Sequence, residues 1–411
     1  MTRLSINGDR LQQSLEEINQ IGATPGGGCC RLALSDEDKH ARDLFVQWCK
    51  AAGAEVKVDC FGNIFAIRPG LGPNRKVILT GSHLDTQPHG GRLDGIYGVL
   101  AGLEVLRTLQ ESNTQTDFDV AVVNWTNEEG VRFQPGLTGS SGFTGQLSHD
   151  AIWDLSSTEG STFKFDLMRI GYFGVPMNDL TIGAYIETHI EQGPILEEKA
   201  VSIGVVQGIQ EVRWFEVTVE GSDRHAGTTP MHLRQDSFAA VAEMVSTLRT
   251  IALSMNKELR FTVGRVHVSP GSPNTVPGLS SFTIDLRHPE SDVLDTFVSE
   301  IERVFEEVDA RHGVHSQIKQ TMHVPAVHFD QHCVEVVKSS AIKAGFSSIP
   351  IVSGAMHDAS RVSAIAPTAM IFVPSRDGIS HHESEWTDPQ HLTAGGQVLL
   401  ESILALAGER R

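Results

Sequence analysis

The stretch GSHLDTQPHGGRLDG, residues 81–95, puts His83, Asp85 and Asp94 into one glycine-rich loop directly after the apolar run KVILT. Imidazole and carboxylate are the ligands that borderline divalent ions accept. His83 and Asp85 alternate onto one face of an extended segment, which places the Asp85 carboxylate to hold the second nitrogen of a metal-bound His83. Three more loops carry such groups at or near the ends of predicted strands. NWTNEEG sets Glu128 beside Glu129 after DVAVVNW, and adjacent carboxylates can divide the work, one holding metal while the other takes a proton from water. AYIETHIEQGP puts Tyr185, Glu187, His189 and Glu191 on one strand face, and VPSRDGISHHESE brings His381 and His382 after TAMIFVP. Taken singly, a histidine or aspartate beside a strand end is usually a hydrogen-bonded structural residue. Together these loops supply two His, one Asp, one Glu and a further His, which suits two ions sharing a carboxylate. Two such ions activate a water and polarise a carbonyl while an unligated Glu carries the proton, which is amide-type hydrolysis.

Competing chemistries lack their residues. No G-x-S-x-G elbow and no G-x-x-x-x-G-K-[ST] loop occurs. The glycines of HGGRLDGIYG miss the dinucleotide fingerprint spacing.

The elements that must position these loops follow from hydrophobic periodicity. Ser35 caps a predicted helix over DEDKHARDLFVQWCKAAG that stops at Gly53. Strand-like pieces follow in AEVKVD, NIFAI, KVILT and DVAVVNW, with a helix over GVLAGLEVLRTLQ between the last two. Strand, helix, strand at this spacing argues for a sheet with parallel members and helices on its faces. A different order starts near Gln207: strand VRWFEVTVEG, helix DSFAAVAEMVSTLRTIAL, strand RFTVGRVHV, strand LSSFTIDLRH, helix SDVLDTFVSEIERVFEEVDARHG and strand HSQIKQTMHV. That β-α-β-β-α-β series is the ferredoxin-like arrangement. After about residue 325 the first style resumes with helix CVEVVKSSAIKAG and strands IPIVS and TAMIFVP. The expected fold class is therefore α/β, with a catalytic domain over residues 1–207 and 325–411 and an inserted α+β domain over 208–324.

A chain of 411 residues exceeds what one core normally serves, in keeping with two domains. Acidic residues outnumber basic ones by 51 to 33, a net charge of −18 that repels polyanions, so nucleic acid is not an expected partner. The cysteines at 29, 30, 49, 60 and 333 are odd in number and contain no C-x-x-C pair, which fits a reducing cytoplasm rather than a disulfide framework. The amino-terminal MTRLSINGDRLQQ has no signal-peptide core, and no uninterrupted apolar run of membrane-spanning length is read, so no membrane partner is expected.

With these residues assembled, the chain resembles a known family. GSHLDTQPHGGRLDGIYGVLAGLEVL, WTNEEGVRF, HIEQGPILE, HAGTTPM, SPNTVPG, DLRHP, SGAMHDA and GISHHESE, spanning roughly residues 80 to 385, are similar to the zinc-dependent N-carbamoyl-amino-acid amidohydrolases. That family includes L-carbamoylases, β-ureidopropionases and allantoate amidohydrolases, within the clan of dinuclear-metal aminoacylases and peptidases. The resemblance implies a dinuclear metallopeptidase-like catalytic domain and an inserted ferredoxin-like lid that also makes a homodimer. It implies two divalent ions, zinc first and manganese, cobalt or nickel as alternatives. His83, Asp94 and His189 would hold one ion, and Asp94, Glu129 and His381 the other. Glu128 would be the general base and later acid, and His225 would donate to the oxyanion. Gln192, Asn274 and Arg287 would hold a small substrate bearing a carboxylate, Arg287 as a bidentate fork. Catalysis would then need closure between domains about a hinge near Gln207 and Gly208.

Two departures stand out. The family's last ligand motif usually reads S-H-x-P-x-E, whereas here Glu383 replaces the proline; Glu385 keeps its spacing from His381, which assigns that histidine, with His382 as the alternative since either imidazole could ligate. In SGAMHDA, Met356 stands where many relatives have glycine, next to His357, so both are expected to line the substrate pocket. The activity expected is hydrolysis of an N-carbamoyl amino acid to amino acid, ammonia and carbon dioxide. Allantoate or ureidoglycolate hydrolysis, or deacylation of N-acyl amino acids and dipeptides, is the alternative.

Overall fold

The computed structural model describes residues 4–73, 76–177 and 180–410. It divides into two compact units, Met1–Gly208 with His328–Arg411, and Ile209–Val327. The first unit is built on a nine-stranded sheet. Its strands are β1 (Glu55–Val58), β2 (Ile64–Arg68), β3 (Val77–His83), β4 (Asp119–Trp125), β5 (Ile182–Ile190), β6 (Ile203–Ile209), β7 (Val327–His328), β8 (Ser348–Ser353) and β9 (Thr368–Val373). They lie in the order β1-β2-β4-β3-β5-β9-β6-β7, with β8 joined to β6. The four central strands β4, β3, β5 and β9 are mutually parallel. β3, β4 and β9 are buried from end to end, as parallel strands covered on both faces must be.

β3 runs three residues past KVILT and ends at His83. Gly81 belongs to the strand because a Cβ there would stand 2.0 Å from the Val123 carbonyl oxygen of β4. It is close approach between strands, and not a turn, that requires this glycine.

Helices α1 (Gly8–Ile18), α2 (Asp36–Ala51), α3 (Ile96–Glu111), α4 (Gln331–Ala344), α5 (Asp358–Val362) and α6 (Pro389–Ala407) accompany the sheet. The Ser35 hydroxyl accepts from the Asp38 N–H at the start of α2, the expected cap. α3 is buried on nearly every side, and Gly98 lets it settle onto the sheet, since a Cβ there would stand 2.3 Å from the Thr188 carbonyl. α1 and α6 were not anticipated. α6 is apolar around most of its circumference, so it shows no helical period, although Asp388 followed by Pro389 marks its start.

The second unit has a five-stranded antiparallel sheet, two of whose strands are successive pieces along one edge, with two long helices. Strand Leu279–His288 lies between Glu211–Glu220 and the pieces Arg260–Thr262 and Val266–Ser269, while His315–Val324 flanks Glu211–Glu220 on its other side. With helices Ser237–Met255 and Ser291–His312 the order is the expected β-α-β-β-α-β. The run RFTVGRVHV is split by an extra residue: Thr262 pairs with Asp285 but Val266 with Phe282, a bulge. Helix Ser237–Met255 is long and apolar enough on average to cross a membrane, although Glu243 and Arg249 interrupt it. Its buried residues Ala240, Val241, Met244, Leu248 and Ala252 recur at helical spacing and pack in one core with Val217, Phe282 and Ile284. It is a sheet-covering helix of this unit.

The chain leaves the first unit after β6 and returns at β7, and the Phe329 N–H donates to the Gln207 carbonyl at 3.0 Å.

Candidate metal centre

The carboxyl ends of the four parallel strands carry the whole cluster, the place where open α/β sheets usually hold ligands. His83 ends β3, Glu128 and Glu129 follow β4, His189 lies at the end of β5 with Gln192 beyond it, and His381 follows β9. Each of these loops turns through a left-handed residue: Gly95 (φ 70°), Asn127 (58°), Gln192 (57°) and His381 (54°). Three are not glycine, which is uncommon and sharpens the turns that aim the side chains inward.

Asp94 is the centre. Its Oδ1 lies 3.1 Å from His189 Nε2 and 3.9 Å from His83 Nε2. Its Oδ2 lies 3.2 Å from His381 Nε2, which in turn is 3.5 Å from Glu129 Oε2. One carboxylate thus faces two ligand groups, His83–Asp94–His189 and Asp94–Glu129–His381, each with its donor atoms within 4.8 Å of one another. Glu128 Oε2 stands 3.5 Å from His83 Nε2. His382 is exposed, and its Nδ1 is 2.7 Å from the Ser384 hydroxyl; it is His381 that reaches Asp94.

The residues present suit divalent ions. His83 and His189 each set Nδ1 2.9 Å from a backbone carbonyl, of Asp85 and Ile190 respectively, and so present Nε2 to the cluster. Glu129 Oε1 and Gln192 Oε1 are buried with no hydrogen-bond partner. Orphaned buried oxygens beside paired imidazoles are what a cation would satisfy.

The electrostatics follow from crowding. Burial opposes the charge of Asp94, but hydrogen bonds from His189 and His381 outweigh it and hold the carboxyl well below its usual range. Burial pushes Glu128 far up, reinforced by the charges of Asp358, Glu129, Asp94 and Asp85. Glu129 is raised to about 8 by burial and by Asp94. His189 is raised to about 9 because its bond to Asp94 overcomes its own burial, whereas burial lowers His83 to about 4. His381, bonded to Asp94 and less enclosed, also rises to about 9.

Asp85 departs from expectation. Its carboxylate accepts the backbone N–H groups of Glu128 and Glu129 at 3.3 and 3.2 Å, and it is its main-chain carbonyl that holds His83. The side chain therefore positions the Glu128–Glu129 turn and does not touch the imidazole. Glu191 also has structural work, accepting the Ile195 and Leu196 N–H groups of the following turn. Glu187 accepts from the Ser82 hydroxyl at 2.7 Å, the Tyr185 hydroxyl at 3.1 Å and the Ala359 N–H at 2.9 Å. His357 is buried, with its ring centroid 4.5 Å from that of His189 and its Nε2 3.0 Å from the Ser353 hydroxyl. It packs behind a ligand, with Met356 half-buried beside it. Gln192 donates its amide to Asp94 Oδ2 at 2.9 Å.

In the second unit, His225 and Asn274 come together, since Thr275 pairs with His225 and the Ala226 N–H donates to the Asn274 carbonyl at 2.9 Å. His225 Nδ1 accepts two backbone N–H groups, from Gly227 and Thr228, so Nε2 carries the ring proton. Arg287 already forks onto Asp285, with Nε 3.0 Å from Oδ1 and Nη2 2.9 Å from Oδ2.

Sequence reasoning missed the residues that brace the ligands. Glu385 Oε1 accepts the Leu93 and Asp94 N–H groups at 2.9 and 3.1 Å, and the Ser380 hydroxyl reaches Asp94 Oδ2 at 2.9 Å. Gln87 donates to Glu129 Oε2 at 2.7 Å. Only Glu385 had a signal, its fixed spacing from His381.

An α/β sheet whose strand ends gather two histidine–carboxylate groups around a shared aspartate defines a metal-dependent hydrolase. The chain belongs to peptidase family M20/M25/M40, whose model matches residues 79–405. It is 40% identical to an N-carbamoyl-L-amino-acid amidohydrolase of Rhizobium meliloti over 98% of this chain and 97% of that one. It is 33% identical to an allantoate amidohydrolase of Bacillus subtilis strain 168, over 98% and 99% of the two chains. Among solved structures, a hydantoinase/carbamoylase family amidase from Burkholderia ambifaria superposes with a TM-score of 0.96 at 43% identity, covering 100% of both chains.

Proposed function

We propose that the protein hydrolyses N-carbamoyl amino acids to the amino acid, ammonia and carbon dioxide, using two divalent ions, zinc foremost. The observation that carries this reading is Asp94, whose two oxygens serve two separate ligand groups with the unshared Glu128 alongside. Full-length similarity to a carbamoylase supports the substrate class. His83, Asp94 and His189 would hold one ion, and Asp94, Glu129 and His381 the other. Bound there, the ions would lower the pKa of a water and polarise the carbamoyl carbonyl.

The chain's own groups do the remaining work. Glu128 accepts the proton of the attacking water and delivers it to the leaving nitrogen, a task open to it because it stands 3.5 Å from His83 Nε2 yet belongs to neither ligand group. His225 holds its ring proton on Nε2 and so can donate to an oxyanion while neutral. Arg287 can bind a substrate carboxylate by exchanging Asp285 for it, with Asn274 contributing an amide. The 119-residue span Ile209–Val327 is read as lid and dimerisation domain. Its exposed Trp214, Phe238 and Leu253 support a homodimer, which light scattering would test.

The deciding experiment is ammonia release by the metal-reconstituted protein offered N-carbamoyl-β-alanine, N-carbamoyl-L-methionine and allantoate, with and without a chelator. Chelator-sensitive turnover of either carbamoyl compound is expected. Turnover of allantoate alone would move the enzyme to ureide breakdown, the reading favoured by its similarity to the B. subtilis protein.

A further inference from the structure

The two ligand groups are not built alike. In the first, His83, Asp94 and His189 are all buried, and both imidazoles are fixed by backbone carbonyls. In the second, the His381 side chain is 51% exposed on a loop with a left-handed backbone. Asp94 Oδ2 is held by the Gln192 amide and the Ser380 hydroxyl, each at 2.9 Å, which leaves Glu129, its side chain buried, as the remaining ligand of that group whose orientation must be set.

Glu129 has one outside brace among the described residues. Its Oε2 accepts the Gln87 side-chain amide at 2.7 Å, while Oε1, buried, accepts nothing. Gln87 is itself held rigidly. Its carbonyl accepts the Gly90 N–H at 3.1 Å and the Thr86 hydroxyl at 3.0 Å, and that hydroxyl accepts the Arg31 N–H at 2.8 Å. A half-buried amide on a braced turn, aimed at one oxygen of a carboxylate, decides which way the other oxygen points. We propose that Gln87 is a positioning residue that sets the affinity of the ligand group formed by Asp94, Glu129 and His381, leaving the group formed by His83, Asp94 and His189 untouched.

The physical reason is the loss of freedom that binding would otherwise require. A carboxylate free to rotate about its last torsions must be ordered when an ion arrives, and the N–H donor orders it beforehand. Outer hydrogen bonds of this kind are worth about 10- to 100-fold in metal affinity. Gln87 touches no ion itself. Its removal should therefore act on one binding step alone.

This inference rests on the two-ion reading, and one titration separates them. Metal-free full-length protein is titrated with zinc alone, in competition with a chelator of known affinity, comparing wild type with Gln87→Met and Gln87→Ala. Wild type should bind two ions. Both variants should keep the tighter step and weaken the other by tenfold or more, with turnover restored by excess zinc at unchanged KM. Two ions bound with wild-type affinities by either folded variant would overturn the role of Gln87. Equal weakening of both steps would overturn it too, because a general defect of the fold, not the orientation of Glu129, would then be the cause. Wild type binding fewer than two ions would instead overturn the two-ion reading.

Discussion

Glu128 and Glu129 are neighbours in sequence with opposite assignments, and substitution distinguishes them. Glu128→Gln removes a proton carrier without removing a ligand. Zinc content should stay at the wild-type value while turnover falls on the order of a hundredfold or more; a metal-replete variant with unchanged turnover would contradict the assignment. Proton balance offers a second test. In the metal-free fold, His189 and His381 are raised to about 9 by Asp94. The stabilisation from these charged pairs is fully present below the ordinary histidine value of about 6.5 and lost as pH rises through about 9. Asp94, depressed, contributes the reverse limb, present above about 3.9 and lost on acidification. An ion needs the imidazoles neutral and Glu129, raised to about 8, ionised. Metal loading at pH 7 should release protons, and affinity should climb towards pH 9. Calorimetry in two buffers of different ionisation enthalpy measures that release, and identical heats in both would refute it.

At the level of elements, the site is a property of strand ends and of the turns that follow them. Gly95 shows how tightly this is drawn: it sits at φ 70°, and a Cβ there would stand 2.3 Å from the His83 ring. Gly95→Ala should cost about 1–2 kcal/mol for the positive-φ backbone alone and displace His83, so zinc content should drop well below that of wild type. Retention of full metal content would show that the ring can move without consequence. The four loops could be read as a candidate site because each follows a predicted strand, but the ligand set itself came from the family resemblance, since Asp94 and His381 lie in polar loops that close no apolar run. The spacing to Glu385 favoured His381 and left His382 as an alternative, and it is His381 whose Nε2 lies 3.2 Å from Asp94. What could not be read were contacts made by loops returning to one another: Gln87 to Glu129, Ser380 to Asp94, and the rotation of Asp85 away from His83. These depend on backbone direction after the strand, which periodicity does not encode. α6 escaped for a related reason, since a helix buried on most sides has no polar face to betray its period.

For the whole molecule, every proposed ligand belongs to the first unit and none to the second. Ions bound there stabilise that unit by mass action, about 2.7 kcal/mol for each hundredfold excess over the dissociation constant. Differential scanning calorimetry with and without a chelator should therefore lower the unfolding temperature of the first unit and leave that of the second in place. A single transition shifting as one would mean that the units unfold together. The acidic excess, −18 overall, should in addition make binding of small anionic substrates more favourable as salt is raised.

The hydrogen bond between Phe329 and Gln207 has a consequence for how such a chain is assembled. The insertion departs and re-enters at neighbouring points of one sheet, so the framework experiences it as a hairpin with a very long tip. Closing a loop grows dearer only with the logarithm of its length, by about 0.6 kcal/mol per doubling. A short glycine–serine bridge in place of the span between β6 and β7 should leave a folded, zinc-binding scaffold that has lost its catalysis. The insertion is topologically a graft, and the host sheet carries everything needed to close the wound.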